Sequence, residues 1–404
     1  MTTYADPPSR TGNRPRRRGD RPDRPPAKPA RKDPLWAKLA VILGAVVMVV
    51  SGLAVVVPKV AAAWFAGNIP DVDAIPDELR GTSIDGAINF LLVGIDEREG
   101  EGVGGVRADS VILVHIPKAH DRIFMISMPR DARVEIPAFP KTGFTGMTNK
   151  MNAAFSFGAR TSGPGPTVWD REFDLSPDGR ARGAELTMRT ISDLVPGGLK
   201  FNGAAIIDFK GFEAVVNALG GVYMCVDTDL YSIHYYPNGT KAGNPLHEDY
   251  GGRYGTGKHY ELGCRDMPAW EALDYSRQRY NLPNGDYDRQ RHQQQLLKAI
   301  VKKVASTNTI TNFKTIRDLQ QAAGDLLTLD RGGNSLEDWV LTLSSLRADD
   351  MILIKTNGGK YSPIGDGTSD EQLLPDTIEL LKSVQSDTVF DFLETHTDWV
   401  AADQ

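Results

Sequence analysis

Hydrophobic and polar positions alternate in blocks along the chain. Residues 1–34 are almost wholly polar, with RPRRRGDRPDRPPAKPARK at their centre, so they cannot bury a core and are expected to be disordered. Leu39 to Val57 (LAVILGAVVMVVSGLAVVV) then runs nineteen residues without a charge, close to the length that spans a bilayer as a helix. Residues 58–86 form a Pro- and Asp-rich spacer. Three short runs rich in apolar and β-branched residues follow, Ile88–Gly94, Ser110–Ile116 and Arg122–Met128, each bounded by polar breaks and each predicting a strand. Strands are also expected at 204–209, 222–226 and 351–355. Helices are expected at 185–194, 212–219 and 376–384. Another should open at Pro268 with Trp270 and Leu273 on its apolar side, and one should run from Arg289 through Leu296, Leu297, Ile300, Val301 and Val304. Asn284-Gly285 separates those last two with a turn. Residues 159–181, rich in Gly, Pro and Asp, read as a surface loop. Interleaved strands and helices predict an α/β or α+β fold, a mixed central β-sheet flanked by helices. Its main domain spans 87–304, and 305–404 is the C-terminal part of the same outer region. A membrane span occupies 35–57.

Charge gives this layout a direction. Through Lys38 the chain holds eleven Lys/Arg against four Asp, so with −6 overall the remainder carries −13. A basic tail beside an apolar span is predicted to stay cytoplasmic, with everything beyond Val57 exported. A signal peptide would have a shorter apolar region nearer the N-terminus. The acidic outer region excludes general nucleic-acid affinity. Cys225 and Cys264 are the only cysteines. An oxidising exterior permits a disulfide between them, with two buried thiols as the alternative. Without nearby histidines they do not form a zinc site of ordinary spacing.

Against that acidic background, one basic stretch stands out. AWEALDYSRQRYNLPNGDYDRQRHQQQLL places Arg277, Arg279, Arg289 and Arg291 within fifteen positions, flanking a tight turn. Arg289 and Gln293 are four apart and share a helix face. Guanidinium forks suit bidentate recognition of phosphate oxygens; a solvated charged loop is the plainer reading. If the three early strands form an antiparallel meander, one edge of it collects Asp96, Arg98, Arg107, Asp109, Arg130 and Asp131. Two carboxylates beside several guanidiniums match a Mg²⁺-assisted phosphate site, although ion pairs capping hairpin ends would look the same. The loop EREGEGVGGV lacks the Gly-Lys-Ser/Thr ending of a phosphate-binding P-loop. Lys150 and Asn152 lie where a further helix starts.

In order, the segments NFLLVGIDER, VRADSVILVHI, ISMPRD, TNKMNAAFSFG and EALDYSRQRYNLPNGDYDRQRHQQQ resemble the motifs of the LytR-CpsA-Psr family across residues 88–304. The cysteine pair and the Arg/Pro-rich tail resemble its actinobacterial members. The resemblance implies a membrane-anchored extracellular enzyme. It would transfer a glycopolymer from a polyprenyl-pyrophosphate carrier to a peptidoglycan hydroxyl, leaving a phosphodiester. Arabinogalactan, a teichoic-type chain or a capsule would all suit as cargo. Carried over by motif, Asp96 and Asp109 would hold Mg²⁺, or Mn²⁺ in its place. Arg107, Arg130, Arg277, Arg279, Arg289 and Gln293 would hold the pyrophosphate, and Arg98 and Lys150 match the same motifs. Catalysis would rest on Asp96, Asp109, Arg130, Arg279 and Arg289, with Asp131 or Asp286 as a base. His292 departs from the pattern, since Arg is common there. A hydrolase using water as acceptor, or a non-enzymatic binder of lipid-linked glycan, keeps the same arginines.

Overall fold

The computed structural model describes residues 71–96, 106–161, 172–242, 256–280, 282–306, 318, 321 and 327–401. The apolar runs form the expected meander of β1 (Ile88–Asp96), β2 (Arg107–Ile116) and β3 (Ile123–Met128), antiparallel in succession. A hairpin of β4 (Arg133–Ile136) and β5 (Met147–Lys150) follows. The chain then returns through β6 (Gly203–Asp208), parallel to β1. Outside the main sheet, β7 (Val222–Val226) pairs with β10 (Gly263–Met267), and β8 (Leu230–Tyr231) with β9 (His259–Tyr260). Finally β11 (Leu327–Asp330) and β12 (Met351–Lys355) take the two edges of a six-stranded sheet ordered β11-β6-β1-β2-β3-β12. Residues past 304 therefore complete the sheet that 88–208 begins.

Each sheet face buries a different layer. Leu91, Val93, Ile95, Val111, Leu113, Ala204 and Ile206 belong to the large core shared with helices Met151–Gly158 and Pro177–Ser192. Those two helices pack closely because a Cβ at Gly183 would lie 2.7 Å from the Phe155 ring. The alternate residues Leu92, Gly94, Ile112, Ala205 and Ile207 face helices Phe209–Ala218, Ala269–Arg277 and Asp286–Val304. Such alternation along each strand is what a sheet covered on both faces requires.

One break in the alternation matters. The β1–β2 register runs Gly94 to Ser110 but Ile95 to Ala108, so Asp109 is the extra residue of a β-bulge. Ala108 and Val111 can then both enter the large core, while Asp109 is turned toward Arg130.

Several expectations shift at their boundaries: the helix expected at 212–219 runs Phe209–Ala218, directly after β6. The second helix of the arginine stretch starts at Asp286, three residues early, behind Gly285 at φ 54°. The region read as a loop to 181 turns helical at Pro177, because Ser176 accepts a hydrogen bond from the Gly179 amide and Pro177 suits the first turn. Cys225 and Cys264 lie directly opposite each other on β7 and β10 and form a disulfide. Closing a loop of 39 residues this way restricts the unfolded chain by about 4 kcal/mol in the chain-entropy picture. Among the described residues, no helix is long and apolar enough to cross a membrane, and the expected span at 39–57 lies outside them.

Candidate active site

The meander ends and the 286–304 helix build one charged cluster. Arg130, just after β3, donates from Nη1 to Asp109 Oδ1 at 2.7 Å. Its Nε lies 3.4 Å from both Asp131 Oδ2 and Asp286 Oδ1. Arg289, in the first turn of its helix and 3% exposed, donates from Nη2 to Asp286 Oδ2 at 2.9 Å and to the Asp109 carbonyl at 3.1 Å. The residue aimed by the bulge is thus bound by arginines from two separate elements. Burial opposes ionisation of Asp109, but Arg130, Arg289 and Arg279 outweigh it and hold the carboxyl below its ordinary range. Asp286 is half-buried, and Arg289 and Arg130 hold it low against desolvation.

Arg279 differs from these paired arginines. It reaches the surface and makes no ion pair among the described residues. Desolvation, followed by the like charges of Arg130 and Arg289, lowers the pKa of its guanidinium. An arginine crowded by other arginines with no carboxylate of its own is poised for an anion. Arg107, exposed at the start of β2 and opposite Asp96, is also without an ion pair among the described residues. Arg277 stands slightly apart, its guanidinium carbon 4.1 Å above the centre of the Phe209 ring. Lys150 is occupied on the far side of Asp131: Nζ donates to Asp131 Oδ1 at 2.8 Å and to Ser369 Oγ at 2.9 Å. Arg98 lies outside the described residues.

Beside this cluster, between the sheet and its three covering helices, lies an apolar cavity of about 240 Å³. Leu92, Ile112, Ile207, Phe212, Leu296 and Ile300 are among its walls. Gly94, Ser110, Ser276 and Gln293 also line it, and the elements of Ser110 and Gln293 carry cluster residues. Ser110 follows Asp109, Ser276 precedes Arg277, and Gln293 sits one turn beyond Arg289. Nothing in the local sequence identifies this cavity, because its walls come from strands and helices more than 200 residues apart.

The donor set suits Mg²⁺. Asp96 and Asp109 offer carboxylate oxygens near neighbouring strand ends, and Asp109 is held below its ordinary range with Arg130 on Oδ1. Among the described residues no group of three or more His, Cys, Asp and Glu side chains is gathered for a metal. An ion held here would draw its other ligands from water and phosphate oxygens, as Mg²⁺ commonly does.

The model of the LytR_cpsA_psr family matches residues 70–358. The chain belongs to the LytR-CpsA-Psr family. The match extends beyond the motif-bearing 88–304 on both sides. This family member is 27% identical over 228 residues to the polyisoprenyl-teichoic acid--peptidoglycan teichoic acid transferase TagU of Enterococcus faecalis, covering 56% of this chain and 57% of that one. To the cell wall biosynthesis protein LcpA of Corynebacterium glutamicum it is 24% identical over 315 residues, covering 74% and 55%. The LytR-CpsA-Psr chain thus spans little more than half the length of these curated relatives. Its fold is similar to that of gbs0355 from Streptococcus agalactiae, with a TM-score of 0.51, 21% identity, and coverage of 75% of this chain and 88% of that one. Bacillus subtilis TagV gives a TM-score of 0.50 at 21% identity, with 75% and 98% covered.

A second group of charges in this LytR-CpsA-Psr chain lies on the other side of the 286–304 helix. Arg291 binds Asp227 through Nε and Nη2, both at 2.9 Å, and Asp288 through Nη1 at 2.8 Å. His292, wholly buried, contacts Asp227 Oδ1 at 2.8 Å and stacks on Tyr275. The departure from the family pattern at 292 therefore falls in a structural network and leaves the Arg130–Arg289 cluster intact.

Proposed function

We propose that the protein is a membrane-anchored transferase that moves a glycopolymer from a polyprenyl-pyrophosphate carrier to peptidoglycan through a phosphodiester bond, with Mg²⁺ as cofactor. One observation carries the reading: Arg107 and Arg279, without carboxylate partners among the described residues, border a cluster of paired arginines beside an apolar cavity. A carrier of this class is a diphosphate joined to a hydrocarbon chain and needs both parts. The relative named as a polyisoprenyl-teichoic acid--peptidoglycan transferase supports the same assignment.

In this reading Arg107, Arg279, Arg130 and Arg289 bind the diphosphate, and Gln293 marks the passage into the cavity that takes the first units of the lipid. Arg277 covers the rim beside Phe209. The acceptor hydroxyl oxygen bonds to the sugar-proximal phosphorus, and the bond from that phosphorus to the bridging oxygen breaks. Polyprenyl phosphate leaves with the bridging oxygen and its electron pair, and the hydroxyl proton passes to a carboxylate. Because Asp286 is held low by Arg289 and Arg130, it is a poor proton acceptor, and Asp131 is the candidate. Asp109 and Asp96 would hold Mg²⁺, which supplies charge neutralisation at the phosphate oxygens. The preorganised guanidiniums stabilise charge on the non-bridging and leaving oxygens. In this reading the basic tail and apolar run keep residues 1–34 in the cytoplasm and the folded domain outside, a compartment suited to the Cys225–Cys264 bond.

Lipid extraction and mass spectrometry of the purified full chain test this. The wild type should carry a polyprenyl-pyrophosphate species, and Ala205→Leu, which fills the cavity, should carry much less. An empty wild type, or unchanged occupancy in a folded Ala205→Leu protein, would sink the reading.

A further inference from the structure

Beyond the family-matched residues 70–358, the chain returns to the site. There the Glu371 amide donates to the Asp131 carbonyl at 3.1 Å, and the Glu371 carbonyl accepts from the Arg133 amide at 2.8 Å. Neighbouring residues engage the same side: Ser369 Oγ accepts from Lys150, and Asp370 Oδ2 accepts from Arg133 Nε at 2.8 Å. Glu371 itself is 2% exposed. Its Oε2 accepts from the Tyr287 hydroxyl at 2.7 Å, and that hydroxyl accepts from Asn357 Nδ2 at 3.0 Å. Tyr287 directly follows Asp286. Glu371 is therefore tied, by main chain on one side and side chain on the other, to two of the three carboxylates that surround Arg130.

No cation pairs with the Glu371 carboxyl among the described residues. The groups that act on it are Tyr287 and Asp286 from the helix, Asp131 from the end of β3, and the Ser362 amide from its own segment. A buried acid facing two other acids is a costly place for a negative charge, and a diphosphate bound next door makes it costlier.

Resting on the diphosphate-binding reading above, we propose that Glu371 is a positioning residue for the site, acting on the Arg130 cage through Tyr287 and Asp131, and that it takes up a proton when the diphosphate binds. Burial, together with Asp286 and Asp131, pushes its carboxyl up to about 7 against the hydrogen bonds from Tyr287 and Ser362. Ionisation of Glu371 above that point adds charge that works against the incoming anion.

The test is calorimetric titration of inorganic pyrophosphate into the full chain between about pH 6 and 8, with wild type, Glu371→Gln, Tyr287→Phe and Arg279→Ala. Pyrophosphate's own protonation is common to all the proteins and cancels in the ratios. Glutamine imitates the protonated acid, so Glu371→Gln should match the wild type at the acid end. At the alkaline end it should bind more tightly, by up to about tenfold, with less proton uptake. Tyr287→Phe removes a hydrogen bond that favours the carboxylate, so it should move the wild-type midpoint upward. It also serves if the glutamine variant does not fold. If the wild type binds and Arg279→Ala weakens binding, but the Glu371→Gln ratio stays constant with pH, this proposal alone is overturned. A wild type that binds no pyrophosphate overturns the diphosphate reading and this proposal together.

Discussion

The two sides of the 286–304 helix use the same residue types to different ends. Arg289 and Arg291 are two positions apart, roughly 200° around the helix axis. Arg291 faces Asp227 and Asp288, which neutralise it, and His292, Tyr275 and Gln295 fill the remaining positions around Asp227. Arg289 faces Asp109 and Asp286, but those carboxylates are shared with Arg130 and lie beside the unpaired Arg279. In the first cluster the arginine is bound by carboxylates, and the cluster fastens the disulfide-bearing ribbon to the helix. In the second, Arg279 has no carboxylate of its own among the described residues. A binding site here is distinguished by the arginine that lacks a partner, and the number of arginines present does not reveal it.

The sharpest way to break the comparison is Asp227→Ala. It leaves a buried gap beside His292 and leaves Arg291 with only Asp288, and should cost about 3–5 kcal/mol of stability, read by urea unfolding. Desolvation raises the Asp227 carboxyl, but His292 and Arg291 hold it far below its ordinary range. The stability that it contributes is thus present above the unfolded carboxylate range of about 3.9 and is lost as pH falls below it. Asp227→Ala should flatten that acid-side loss.

Arg279→Ala should act on function with little effect on stability. Among the described residues its side chain makes no ion pair, so the unfolding free energy should shift by no more than about 0.5 kcal/mol. It would remove a contact to charge already present in the ground-state substrate, worth roughly 1.5–3 kcal/mol, or about ten- to hundredfold in affinity. The apparent KM should therefore rise at least as much as kcat falls. A variant that unfolds easily yet binds pyrophosphate normally would reverse the roles assigned to the two clusters.

Much of this was legible along the chain. Short runs rich in apolar and β-branched residues place β1, β2 and β3, and the polar residues at their ends then place Asp109, Arg130 and Asp131 together. The turn at Asn284-Gly285 folds Arg279 and Arg289 back toward them. What stayed hidden depends on contacts distant in sequence. The arginine spacing alone does not say whether Arg289 or Arg291 faces the site; the family motif names Arg289, but the role of Asp227 in holding Arg291 is announced by nothing near the helix. The cavity is an absence of side chains among four strands and three helices, and the apolar runs report only which segments are buried. Glu371 lies 240 residues beyond Asp131 in a polar loop, with no local pattern to mark it. The start at Pro177 is a different case: Ser176-Pro177-Asp178 is an ordinary helix opening, obscured by the Gly and Pro content before it.

The central claim is that the Arg130–Arg289 cluster and Asp109 carry out transfer from a lipid diphosphate. Release of polyprenyl phosphate from a lipid-linked sugar, followed across a Mg²⁺ titration with and without peptidoglycan, tests it most directly. The wild type should release the lipid phosphate only when acceptor is present. Folded Asp109→Ala should lose about 100- to 1000-fold in turnover, because its carboxylate matters most as charge develops in the transition state. A folded Asp109→Ala protein with wild-type turnover and Mg²⁺ optimum, or release that needs no acceptor, would contradict the account.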